Sequence, residues 1–228
     1  MALPDKITRR TMLHTAIGVG AGLLGGGLLT GAVEKAACRT PEQASGPFYP
    51  KRDQPDKDLD LTRIAGRADR AQGKVVYISG QVLDQDLAPV AGALVEIWQA
   101  NTHGRYHHED DPNTAPEDPA FQGWGMMRTD AEGRYGFKTI VPGAYPAEEG
   151  WVRPPHIHFK VARRGYHELI TQMYFDGEAL NAKDRLLQEI PEAERQRLVV
   201  TLTEGRPDDE PGSRRGTFNL VLRRVKPG

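Results

Sequence analysis

The stretch Trp151-Val-Arg-Pro-Pro-His-Ile-His-Phe159 decides how the chain is read. Side chains alternate across a β-strand, so His156 and His158 project from one side. Ile157, Phe159 and Val161 take the other side, which is apolar enough to be a core face. Pro154 and Pro155 make the entry to the strand extended and stiff, and Arg153 sets a fixed positive charge three residues before the first histidine. Imidazole is the commonest metal-ligating side chain, and a strand holds two of them rigidly. The same pair is also what the wet face of an antiparallel strand presents, so this stretch alone leaves metal binding open.

Working outward, strand signals dominate the chain. Val75–Leu83 is β-branched and aromatic, and Ala93–Gln99 places Val95 and Ile97 on one face. Met126–Thr129 runs into Asp130-Ala-Glu-Gly133, a hairpin turn, and Tyr135, Phe137 and Thr139 alternate on the return. After His156–Val161 come Leu169–Phe175, Leu198–Leu202 and Thr217–Arg224, while Ala179–Glu189 carries the one helical pattern. Many short strands with frequent turns predict an all-β fold: a two-sheet β-sandwich with long loops and one short helix.

Residues 75–228 would form this sandwich. Residues 38–74 would precede it as an extended arm: Thr40-Pro-Glu-Gln43 and Gly46-Pro-Phe-Tyr-Pro50 carry too much Pro and Gly for a helix. Phe48 and Tyr49 would pack that arm against the body. Residues 1–37 look like a separate object. Arg9 and Arg10 precede a run, Thr11–Val33, that contains seven glycines and no Asp, Glu, Lys or Arg. This is the pattern of a twin-arginine export signal, which predicts a periplasmic or extracellular protein. So many glycines make a poor helix, which argues against a stable membrane span. The single cysteine, Cys38, rules out a disulfide within the chain; it is either a bystander thiol or a lipidated residue exposed by cleavage. A net charge of −1 gives no electrostatic case for nucleic acid.

Two tyrosines stand in unusual places. Tyr106 lies in a polar loop, Asn101-Thr-His-Gly-Arg-Tyr-His-His108, and Tyr145 in a stiff one, Val141-Pro-Gly-Ala-Tyr-Pro146. A phenol with a pKa of about 10 is a poor ligand until a strong Lewis acid displaces its proton. Ferric iron is strong enough. Two phenolates and two neutral imidazoles give two negative charges to a 3+ ion, and a hydroxide completes neutrality. Cu(II) and Zn(II) rarely use two tyrosines. A zinc hydrolase built on His156 and His158 would need a carboxylate partner, and no convincing one stands near them in the sequence.

At this point the chain resembles a known family. Val95-Glu-Ile-Trp-Gln-Ala-Asn101, Gly104-Arg-Tyr106, Pro142-Gly-Ala-Tyr-Pro146, Arg153-Pro-Pro-His-Ile-His-Phe159 and Leu169-Ile-Thr-Gln-Met-Tyr-Phe175 look like the intradiol ring-cleavage dioxygenases, in one order. The arm is similar too. The resemblance implies one non-haem Fe(III) per chain, held by Tyr106, Tyr145, His156 and His158, with Tyr145 leaving when substrate arrives. It implies Arg153 over the substrate ring and Gln172 along the pocket. It implies insertion of both atoms of O2 between the two hydroxyl-bearing carbons of a catechol-type, protocatechuate-like aromatic, giving a cis,cis-muconate. It assigns no role to His103, His107 or His108, and it leaves open an oligomer or a partner subunit. Ala147 stands where the family often has an aromatic residue, and the long helical N-terminal region of the catechol and hydroxyquinol enzymes is missing. Gly80-Gln-Val-Leu-Asp84, Pro89–Val95 and Thr129–Tyr135 also resemble transthyretin-like and carboxypeptidase-regulatory sandwiches. That non-catalytic alternative explains the strands but not Arg153, His156 and His158.

Overall fold

Period-two alternation turns one face of each strand toward a shared core, and the structure follows that pattern closely. The computed structural model describes residues 39–54 and 56–226; the leader expected over residues 1–37, and Cys38, lie outside the described residues. Among the described residues the strands are β1 (Val75–Asp84), β2 (Leu94–Trp98), β3 (Trp124–Arg128), β4 (Arg134–Ile140), β5 (Tyr145–Glu148), β6 (Trp151–Arg153), β7 (His156–Ala162), β8 (Leu169–Phe175), β9 (Val199–Val200), β10 (Thr203–Glu204), β11 (Arg214–Thr217) and β12 (Leu220–Leu222).

The first sheet is built on β1. β4 runs antiparallel to it, with Val75 opposite Ile140 and Gln81 opposite Arg134. β11 and β12 run parallel to its two halves in one register, Val76 opposite Arg214 and Val82 opposite Leu220. β10 pairs with β11. The second sheet has the order β3-β2-β7-β8-β9. Val76, Ile78 and Val82 of β1, Phe137 of β4, Val95 and Ile97 of β2, Ile157, Phe159 and Val161 of β7 and Met173 of β8 meet in one buried cluster between the sheets. Each such side chain contributes about 1.5–3 kcal/mol by leaving water. The core face expected on β7 is therefore the core face observed.

The opposite face of the second sheet is covered as well. Trp98, Tyr106, Trp124 and Tyr145 form a smaller buried cluster there, with Phe48 and Tyr49 of the arm packed on it. The arm is sewn to β8 and β12. Gln43 N donates to Ile170 O (2.8 Å), Thr171 Oγ1 to Pro41 O (2.8 Å) and Val221 N to Thr40 Oγ1 (2.8 Å). Tyr49 then donates its hydroxyl to the buried Glu96 (2.9 Å). Farther on, Lys138 N of β4 donates to Leu59 O and Met126 N of β3 to Lys57 O. One segment thus covers part of the edge of both sheets, where free backbone groups would otherwise invite pairing with another chain.

Two features depart from the sequence reading. The helix expected over 179–189 is broken. Ala179–Lys183 is a 3-10 turn, Asp184 is extended (φ −74°, ψ 114°), and a short helix α1 (Arg185–Gln188) starts after it. A second short helix, α2 (Glu192–Arg195), follows, so the described residues hold two short helices where one was expected. The stiff loop around Tyr145 is instead the start of a two-stranded hairpin, β5–β6, which joins neither large sheet. None of the described helices is long and apolar enough to cross a membrane.

Candidate metal centre

β7 positions the histidines. His156 stands opposite Tyr174 of β8, and His158 between Trp98 of β2 and Gln172 of β8. The His158 ring stacks on Trp98, with centroids 4.8 Å apart and planes 9° from parallel. The stiff Pro154-Pro155 entry leaves the Pro154 carbonyl 2.7 Å from His156 Nδ1. In the neutral ring that nitrogen carries the proton and donates it, which leaves Nε2 as a free acceptor.

The tyrosines come from two loops that interlock through glycines. Asn101 shapes the first loop: its side chain accepts from His103 N (2.8 Å) and Arg105 N (3.1 Å). Its carbonyl accepts from Gly104 N (3.0 Å) and from Gly143 N of the second loop (2.9 Å). Gly104 has φ +81°, and a Cβ there would lie 2.2 Å from Ala144 O and 3.2 Å from the Tyr145 Cβ. A Cβ at Gly143 would lie 2.4 Å from Gly104 N. The two backbones touch because neither residue has a side chain. Tyr145, the first residue of β5, pairs across the hairpin with Arg153 of β6.

These elements bring Tyr106, Tyr145, His156, His158, Arg153 and Gln172 into one buried place. The Tyr106 hydroxyl lies 3.3 Å from His156 Nε2 and 3.1 Å from His158 Nε2, and the two Nε2 atoms are 3.2 Å apart. The Tyr145 ring is 5.5 Å from the Tyr106 ring and 5.7 Å from the His156 ring. Burial, reinforced by Arg153, pushes the His156 imidazole down to about 3. Burial and the neighbouring His156 push His158 well below the usual histidine range. Burial raises both phenols; Tyr145 reinforces the shift at Tyr106, while Arg153 opposes it at Tyr145. Burial thus favours the neutral form of all four side chains.

A neutral, buried set of two imidazole nitrogens and two phenol oxygens fits a strongly acidic cation. Three of these donor atoms already stand about 3 Å from one another, the spacing of ligands around an ion with bonds of about 2.0–2.2 Å. His158 Nδ1 has no hydrogen-bond partner among the described residues. Those residues contain no group of three or more His, Cys, Asp and Glu side chains placed to hold a metal, so any ion here relies on the phenols.

Arg153 is not the isolated charge that the sequence suggests. It is 3% exposed and paired with Asp184, whose side chain is fully buried. Arg153 Nε donates to Asp184 Oδ1 (3.1 Å), and Nη2 donates to Asp184 Oδ2 (3.1 Å), Gln172 Oε1 (2.8 Å) and Tyr174 Oη (3.1 Å). Nη1 lies 3.2 Å from His156 Nε2. Burial disfavours the guanidinium charge, but Asp184 and the nearby phenols more than offset it, so Arg153 is held above its ordinary pKa. Sequence reasoning missed Asp184 and gave Tyr174 no role; an Asp inside a helical pattern was the available signal, since Asp favours caps over interiors.

Gln172 also donates to Ala44 O (3.0 Å), tying Arg153 to the arm. A Cβ on Gly46 would lie 3.3 Å from His158 Cε1, and the Phe48 ring packs 4.7 Å from Tyr106. The arm therefore roofs the site. A cleft of about 440 Å³ opens beside Tyr106, with Lys51, Arg52, Arg105 and Glu109 in its walls. His103 and His108 lie outside the cluster, against Gln72 and the Tyr49 carbonyl, and His107 is exposed.

Comparisons with known proteins show which family the chain is similar to. The sequence profile described as Dioxygenase matches residues 44–224. The chain is 44% identical over 182 residues to the protocatechuate 3,4-dioxygenase beta chain of Burkholderia cepacia, covering 78% of this chain and 76% of that one. It is 34% identical over 142 residues to catechol 1,2-dioxygenase 2 of Acinetobacter lwoffii, covering 54% of this chain and only 50% of that one. Among solved structures, the dioxygenase domain of a carbohydrate-binding fusion from Streptomyces sp. SirexAA-E superposes with TM-score 0.59 at 30% identity, covering 82% of this chain and 99% of that one. Catechol 1,2-dioxygenase of Acinetobacter radioresistens gives TM-score 0.64 at 25% identity, covering 87% and 68%.

Proposed function

This chain belongs to the intradiol ring-cleavage dioxygenases, a family of oxidoreductases, and from that premise we propose that it binds one ferric ion and cleaves a catechol-type aromatic with O2 between its two hydroxyl-bearing carbons, giving a cis,cis-muconate. The observation that carries this reading is the convergence of Tyr106, His156 and His158 donor atoms at 3.1–3.3 Å, with Tyr145 beside them. A bound ferric ion would supply Lewis acidity, activating a chelated catecholate toward O2.

The protein's own part follows from how each side chain is held. His156 is oriented through Nδ1 by the Pro154 carbonyl and His158 by its stack on Trp98. Both stand on a central strand of a five-stranded sheet and keep their places. Tyr145 stands on the separate hairpin, and the resemblance gives it the role of the tyrosine that leaves. As a ligand to the ion Tyr145 would be a phenolate, and its oxygen would accept the proton that a catechol hydroxyl gives up. Arg153, its cross-strand neighbour, keeps its charge throughout because a guanidinium does not deprotonate in a protein. Its Nη1 stands 3.2 Å from His156 Nε2, beside where a chelated ring would lie, and a preorganised donor there would act mainly on the transition state. The arm covers the His158 side of the site.

The test is direct. The purified protein should be red-brown, from tyrosinate-to-iron charge transfer, and its visible band should shift when catechol is added without O2. Oxygen uptake across a panel of substituted catechols then identifies the substrate. A colourless, fully active protein containing stoichiometric zinc would refute the proposal.

A further inference from the structure

Arg153 has five N–H donors, and their assignment shows which edge of the guanidinium works. Nε and Nη2 form one edge, and the Asp184 carboxylate accepts from both at 3.1 Å. Gln172 and Tyr174 share Nη2. That leaves Nη1 on the other edge, facing His156 Nε2 from 3.2 Å. The carboxylate that makes this choice is itself fixed. Asp184 Oδ2 accepts from Leu187 N at 3.2 Å, capping α1. Its extended backbone, which breaks the expected helix, lets one carboxylate face both Arg153 and the first turn of α1.

We propose that Asp184 is the positioning residue of Arg153. It clamps the Nε–Nη2 edge of the guanidinium so that Nη1 is held toward His156 and the metal-ligand cluster. This inference rests on the function proposed above. Asp184 also offsets the Arg153 charge, so that an arginine can stand against an imidazole that would hold a trivalent cation without repelling it. Arg153 by itself would oppose such a cation.

The test uses Asp184→Asn, because asparagine caps a helix about as well as aspartate and spares α1. Three measurements follow on iron-loaded and gallium(III)-loaded protein, gallium being a diamagnetic stand-in for ferric iron. In the gallium protein, the separate Arg153 guanidinium signals of wild type in nitrogen-15 NMR should merge in the variant as the clamp loosens. Iron should be lost to a chelator faster than from wild type. With catechol, kcat should fall about 10- to 100-fold, the cost of roughly 1 Å of misplacement, while KM moves by no more than about threefold. In an Arg153→Leu background the same substitution should leave kcat where Arg153→Leu alone puts it, since Asp184 acts through Arg153. A variant with wild-type kcat and unchanged Arg153 signals overturns the inference, and so does a full loss of rate on top of Arg153→Leu. If Asp184→Asn does not fold, Asp184→Glu keeps the charge but shifts the carboxylate by one methylene. It should lower kcat with its iron retained, and wild-type kcat there overturns the inference equally. A wild-type protein that takes up no O2 with any catechol refutes the proposed function instead; the NMR comparison still decides whether Asp184 holds Arg153.

Discussion

Replacing Gly104 by alanine tests whether the contact between the two tyrosine loops governs the site. The new Cβ would lie 2.2 Å from Ala144 O, where real Cβ contacts stay beyond 3.0 Å. The loops must therefore part by roughly 1 Å to restore ordinary van der Waals separation. The φ of +81° adds a second cost: a left-handed backbone is unfavourable for an L side chain by about 1–2 kcal/mol. Overpacking against a backbone carbonyl adds about 1–3 kcal/mol. Gly212→Ala is the control. It has φ +77° and nothing within 4 Å of where its Cβ would stand, so it meets only the backbone cost. For a chain of this size about 2–4 °C of melting temperature corresponds to each kcal/mol, so Gly104→Ala should melt roughly 2–12 °C below Gly212→Ala. Displacing Tyr106 from Tyr145 by roughly 1 Å should also slow O2 uptake about 100-fold, while Gly212→Ala keeps the wild-type rate. Melting curves and oxygen uptake on the two variants decide it. If Gly104→Ala matches Gly212→Ala in both, the loops do not set the tyrosine spacing and the reasoning fails.

Three further expectations concern the site and its delivery. Tyr145→Phe should retain much of the iron and slow turnover, whereas His156→Ala or His158→Ala should lose the iron; metal analysis with oxygen uptake separates them, and full iron and activity in both histidine variants would refute the ligand assignment. Arg153→Leu should still show the catechol-induced colour shift but react with O2 about 10²–10³ times more slowly in rapid-mixing experiments, and it should lose about 3–5 kcal/mol of stability because Asp184 is left buried and unpaired; a wild-type O2 rate would leave Arg153 as an anchor only. Export by the twin-arginine route is proposed from Arg9 and Arg10, so changing both to Lys should hold the folded protein in the cytoplasm by cell fractionation, and unchanged export would point to another route.

What the sequence makes legible here is what local chemistry determines. The alternation through His156–Val161 predicts both the core face and the histidine pair, because a strand has one periodicity and burial enforces it. The Asp130–Gly133 turn is legible for a similar reason: Gly133 has φ +73°, which glycine adopts without strain. The β5–β6 hairpin is not legible, since Pro146, Glu148, Glu149 and Gly150 read as loop and the strands are held by only a few pairings. The break at Asp184 is also invisible locally. The pattern from Ala179 favours a helix, and only a buried arginine 31 residues earlier explains why the carboxylate leaves it. Parallel pairing of β1 with β11 and of β8 with β9 leaves no local trace either, because it depends on partners far away in the chain.

The hairpin has a consequence for how this enzyme can change. Its base carries Tyr145 and Arg153 side by side, while residues 146–150 are exposed and belong to neither sheet. The histidines, by contrast, cannot move without disturbing the packed sheet beneath them. Substitutions or insertions at the hairpin tip therefore leave the core almost untouched yet reach Tyr145 through its own strand. Arg185 is the neighbour that would register them, since it bonds Glu148 at 2.8 Å and lies 4.8 Å from the Trp151 ring. Variation in substrate choice has an obvious place to accumulate, and a library aimed at new aromatic substrates would begin with residues 147–150 and Arg185.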